Sequence, residues 1–197
     1  MDNRLSFEKH VIDLKKKCFR TLRNIQKIKF LLTTAQIKTI VNSLVISCLD
    51  YCNGLFIGAS EKILHQLQLI QNSAAKTVMG KYKHDHMDDD LKRLHWLDIK
   101  KRIVFKVALL SHKAITGNAP TYLQELFQYA HHGHTLKLMV PYASSTAGLR
   151  SFSYVGPKIY NNLPDSVKTC VSTEMFKSAL KTYLFTLSSE DVVKLYS

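Results

Sequence analysis

Glycine and proline are scarce in this 197-residue chain, at 7 and 4. A sheet protein with many tight turns draws heavily on both, so their scarcity favours long helices with few breaks. The four cysteines (Cys18, Cys48, Cys52, Cys170) show no disulfide spacing. The expected setting is therefore reducing and intracellular, nuclear or cytoplasmic. No apolar run approaches the ~20 residues of a membrane span. The richest run is broken by Lys106, and the opening MDNRLSFEKH lacks the apolar core of a signal peptide. Acidic residues are the other shortage: 15 Asp and Glu stand against 28 Lys and Arg, a formal charge of +13. That bias favours polyanionic partners, nucleic acid first and an anionic membrane surface second. The 46% of hydrophobic residues is enough for a core and argues against disorder.

The apolar spacing predicts helices. Val11, Leu14, Cys18, Leu22 and Ile25 fall on one side of a helix over 6–29. Lys9, Lys16, Arg20, Arg23 and Lys27 fall in a narrow arc opposite, at ~100° per residue. A second helix runs from a cap at Thr33 or Thr34 to about Leu49, followed by a turn at Asn53-Gly54 and Gly58. A third runs from a Ser60 cap to Gly80, with Ile63, Leu67, Ile70, Ala74 and Val78 as its apolar stripe. Beyond a charged hinge, a short helix spans about Asp89 to Leu94, its aspartates placed at the positive end of the dipole. Asp98 caps the next helix and Gly117 closes it. On that helix Ile99, Ile103, Val107, Leu110 and Ala114 form the apolar stripe, while Arg102, Lys106 and Lys113 share one outward arc. A short helix starts at Pro120, a strand lies at Leu136 to Val140, RSFSYVGPKIYNNLP is turn-rich, and Ser172 caps a last helix.

Motifs that carry chemistry are missing. There is no Gly-x-Ser-x-Gly elbow and no Walker-type glycine run. Cys48 and Cys52 are one helical turn apart, but no second pair stands at zinc-finger spacing. His84, His86 and His95 around the Asp88–Asp90 run, and the HHGH at 131–134, do not form a spaced ligand set. Three consecutive aspartates point in different directions, unlike a two-metal site. No catalytic residue, metal or cofactor is expected. Cation placement remains, since a basic strip on a rigid helix suits phosphate contacts.

Several phrases occur in a specific order: LSFEKH (5–10), LDYCNGL (49–55), LQLIQNSAAKTVMG (67–80) and LHWL (94–97). They continue with RIVFKVALLSHKAITGNAPTYL (102–123), VGPKIYNNLP (155–164) and FKSALKTYLF (176–185). The series resembles the C-terminal portion of non-LTR retrotransposon reverse transcriptases, closest to the jockey-like and chicken-repeat-like elements. The chain departs from that pattern at Asp98, at Tyr160 and at Asp88–Asp90. The resemblance implies a helical thumb and C-terminal extension without the catalytic palm, since no Tyr-x-Asp-Asp motif is present.

The expectation is a mostly α chain, a bundle-like array of about six to eight helices with one short strand or hairpin near 136–155. A thumb-like domain would cover 1–82 and a C-terminal extension 83–197. The expected nucleic-acid contacts are Lys9, Lys16, Arg20, Arg23 and Lys27, with Arg102, Lys106 and Lys113. The partner would be RNA or an RNA–DNA hybrid, with the palm domain as a further partner and no membrane. A helical protein–protein module is the alternative, which calls for exposed apolar stripes on the first or third helix. A cationic amphipathic membrane binder and a metal-dependent hydrolase rank below both.

Overall fold

The computed structural model describes residues 6–81, 90–132, 135–170 and 172–196, and the chain is mostly helical. Among the described residues, the helices of eight or more are Glu8–Ile28 (α1), Thr34–Val41 (α2), Glu61–Met79 (α4), Ile99–Ile115 (α6), Phe152–Asn162 (α9) and Thr173–Thr186 (α11). Shorter helices are Ser47–Asp50 (α3), Asp90–Arg93 (α5), Thr121–Gln124 (α7), Thr146–Leu149 (α8), Asp165–Lys168 (α10) and Ser189–Lys194 (α12). The chain divides into two compact units, 1–99 and 100–197, so residues 90–99 fold with the first.

In the first unit the apolar stripes find one another. Val11, Cys18, Leu22 and Ile25 of α1 are buried, as are Ile63, Leu67, Ile70, Ala74 and Val78 of α4. Cross-contacts set the helix direction: Glu8 pairs with Lys62 at 3.1 Å, Lys15 donates to Gln66, and Gln26 donates to Thr77 at 3.5 Å. Both numberings rise together, so α1 and α4 lie parallel and α2–α3 is the return stroke. That return begins with a capping box between Thr33 and Gln36. A π-helical segment at Asn42–Ile46 then adds one residue to the turn, so that adjacent Val45 and Ile46 are both buried. Gly80, at φ 74°, ends α4 as expected, and the Lys81 N–H closes back on Lys76. Ser60 holds the N-cap position of α4 without a side-chain cap bond.

Glutamines on α4 do structural work that periodicity does not reveal. Gln71 is buried and donates to the Leu97 carbonyl at 2.8 Å. Gln68 Oε1 accepts from the Ile99 N–H at 3.0 Å, satisfying a donor in the first turn of α6. Asp90 opens α5, as expected of the aspartates at the positive end of that helix, and is also 2% exposed and paired with Lys81 at 2.5 Å. Residues Asp88, Asp89, His84 and His86 lie outside the described residues. His95 takes a left-handed conformation, φ 55°, ending α5 with Trp96 N–H bonded to Leu91 O.

In the second unit Gly117, at φ 74°, closes α6 in the expected place. A two-stranded antiparallel ribbon follows, Tyr129–His132 (β1) against Thr135–Leu138 (β2), a hairpin lying slightly earlier than the strand or hairpin expected near 136–155. The segment expected to be turn-rich is α9. Its Pro157 lies inside the helix and is buried, which the preceding Gly156 permits by having no Cβ to meet the proline ring. A Cβ at Gly156 would come within 2.9 Å of both Phe127 and Ser111, so the glycine also sets how closely α9 packs. Asn161 binds both backbone groups of Leu138 at 2.9 Å, and neighbouring Asn162 donates to Leu195 O at 3.1 Å. Ser172 caps α11 by accepting from Met175 N–H.

His112 sits in this core, 1% exposed, with its ring stacked on Phe176 at 3.9 Å. Neither ring nitrogen has a hydrogen-bond partner among the described residues. Burial lowers its pKa below the ordinary 6.5, because the charged form would be stranded. The unfolded chain therefore takes up a proton near pH 6.5 that the fold refuses, and stability falls as pH drops below that value. The unfolding free energy from urea titrations followed by circular dichroism should fall between pH 6.5 and 5.5, by up to about 1.4 kcal/mol per pH unit. A His112→Phe variant should lose this component of the slope; an unchanged slope would place the protonation elsewhere.

Candidate nucleic-acid interface

The geometry of α1 sorts its side chains by charge. With the apolar stripe turned inward, Lys9, Lys16, Arg20, Arg23 and Lys27 all emerge exposed. They occupy an arc of about 60° at 100° per residue, over about 27 Å of helix. Among the described residues Lys9, Arg20, Arg23 and Lys27 have no carboxylate partner, whereas Lys16 is 3.9 Å from Asp13. Arg23 Nε donates to the Phe19 carbonyl at 3.3 Å, which steadies that guanidinium on the ridge. Between Leu14 and Leu49 the chain carries eight Lys and Arg and no acidic residue. The ridge is therefore a local concentration of positive potential and not only part of a global average.

Not every cation nearby joins the ridge. Lys15 is turned to Gln66, and the Lys29 ammonium lies against the Gly80 Cα position, at the negative end of α4. Lys9, Arg20, Arg23 and Lys27 are exposed with no carboxylate partner among the described residues, Lys16 is exposed beside Asp13, and Lys17 is exposed outside the arc.

Arg102, Lys106 and Lys113 keep a common arc on α6, and each is only half-exposed. Every residue of Ile99–Ile115 is buried or half-buried, so these three cations are partly covered where those of α1 are exposed. The two cationic sets lie in different compact units.

Other candidate chemistry is not assembled. Among the described residues no group of three His, Cys, Asp or Glu is placed to hold a metal ion, and no helix is long and apolar enough to cross a membrane. His131 and His132 lie on β1, while residues 133 and 134 are outside the described residues. All four cysteines are unpaired. Burial, reinforced by nearby Cys48, pushes the Cys18 thiol up to about 11, which keeps it protonated and inert. Cys48 donates to the Leu44 carbonyl and Cys52 is exposed beyond the helix end.

One exposed residue beyond the cationic ridge escaped the sequence reading. Phe30, in a 3-10 turn (Lys29–Leu31) at the end of α1, is 83% exposed. Its apolar character reads as core until the helical phase is continued. Counted onward at ~100° per residue, it falls within about 60° of Lys27, on the cationic side. No family model, curated protein or solved structure matches the chain.

Proposed function

We propose that this chain is the thumb-like and C-terminal region of a non-LTR retrotransposon reverse transcriptase. It binds RNA or an RNA–DNA hybrid through phosphate contacts and has no catalytic activity of its own. The α1 ridge carries this reading: five exposed cations aligned on one rigid helix, in a stretch with no acidic residue from Leu14 to Leu49. Such contacts position a nucleic acid without reading its bases. The ordered phrases from LSFEKH to FKSALKTYLF support the family assignment.

The alternative, a helical module that docks on another protein such as the palm, called for exposed apolar stripes on the first or third helix. Those stripes are buried in α1 and α4. The membrane and hydrolase readings gain no supporting observation.

Fluorescence anisotropy with a labelled RNA–DNA hybrid and a sequence-scrambled counterpart tests the binding. Near-equal affinities at about 50 mM salt are expected for phosphate-led binding. No binding at that salt, or a strong preference for one sequence, would overturn it. The mass of the native polypeptide tests the family clause. A much longer product carrying the palm is the expected result, and a native product of this length would oppose it.

A further inference from the structure

Phe30 is the feature that phosphate binding leaves unused. A phenyl ring left 83% exposed forgoes about 1.5–3 kcal/mol of burial, and Leu31 beside it is 70% exposed. Arg23 and Lys27 stand about 10 and 5 Å behind it along the helix axis, at 1.5 Å per residue. Both are exposed and unpaired with any described carboxylate. Along the sequence the nearest acidic residues are Asp13 and Asp50, and the buried Asp90 near this end is paired with Lys81.

We infer that this end of α1 binds single-stranded nucleic acid, with an unpaired base stacked on Phe30 and the following phosphates on Lys27 and Arg23. The inference rests on the proposed binding along the α1 ridge and names the strand class which that ridge prefers. Charge decides the occupant. An apolar protein surface would have to desolvate Lys27 and Arg23, whereas a nucleic-acid strand offers a π-face and anions in alternation. A duplex hides its bases in the stack, so it can use the cations but not the ring. The two functions therefore sit on one helix and can be separated by mutation.

The test compares three labelled 12-mer probes: single-stranded RNA, the same backbone with abasic sugars at every position, and an RNA–DNA hybrid. Phe30→Ala should weaken the single strand about 5- to 150-fold, the range for loss of one stacked base. It should leave the abasic strand and the hybrid unchanged. Phe30→Trp should retain the single-strand affinity. Phe30 is exposed, so both variants should keep the wild-type circular dichroism spectrum. An unchanged single-strand affinity in Phe30→Ala, or an equal loss on the abasic strand, would overturn the inference while leaving ridge binding intact. So would a sedimentation shift showing that the ring instead joins two copies of the chain. Failure of all three probes to bind the wild-type protein at low salt would remove both this inference and the proposed function.

Discussion

Replacing Lys16, Arg20, Arg23 and Lys27 together by Gln should weaken hybrid binding by about 10²- to 10⁴-fold at about 50 mM salt. Each ridge cation that neutralises a phosphate releases a counterion, so each loss should also flatten the log–log salt slope by about one. The four side chains are exposed on the face of α1 opposite its buried stripe, and Gln is a good helix former. The fold should therefore survive the substitution, as circular dichroism would verify. The control exchanges Lys62, Lys137, Lys177 and Lys194 for Gln, removing the same formal charge from scattered positions. Lys62, Lys177 and Lys194 each pair with a carboxylate, at 3.1, 2.6 and 2.7 Å. That control should cost several-fold less affinity. Equal losses in the two variants would mean that net charge, and not the ridge, governs binding.

The largest expected effect on stability lies at Lys81 and Asp90. Lys81→Met strands a carboxylate that is 2% exposed, and breaking one side of such a pair costs about 3–5 kcal/mol. For a compact unit of about 100 residues that lowers the thermal midpoint by roughly 12–40 °C. Trp96 is the single tryptophan, is buried, and folds in the same compact unit as Asp90, so its fluorescence reports this unit's unfolding. Adding Asp90→Asn to Lys81→Met removes the stranded charge and should restore much of the loss. A midpoint within 1–2 °C of wild type for Lys81→Met would show that the pair contributes like an exposed one, about 0–1 kcal/mol.

The helical core was legible because its signals are local. The stripes of α1 and α4 repeat at 3.6 residues, and Gly80 and Gly117 occupy the left-handed positions that favour glycine. Thr33 and Ser172 cap where a polar residue precedes an apolar period. Other features were hidden because their partners are distant in sequence. Asp90 reads only as a helix-start acid until Lys81, nine residues back, comes beside it. Gly-Pro reads as a turn until Phe127 and Ser111 define the close packing that Gly156 allows. The phrases that carry the family resemblance turn out to be largely structural. Gln68 and Gln71 hold residues 97–99, and Asn161 and Asn162 hold β2 and the end of the chain's last described turn.

At the interface, the cations of α1 were legible as an arc, and their exposure follows from the burial of the opposite face. Those of α6 were legible as an arc too, but not as half-covered ones, since coverage depends on what packs beside the helix. Phe30 was missed because hydrophobicity alone marks it as core. Continuing the phase of α1 through the turn at Lys29–Leu31 puts it on the cationic side, where it is exposed.

The salt dependence of hybrid binding by the wild-type protein tests the central claim most directly. Anisotropy titrations over about 50–300 mM monovalent salt should give a log–log slope of roughly −3 to −5, as about five phosphate contacts require. A slope near zero would contradict it.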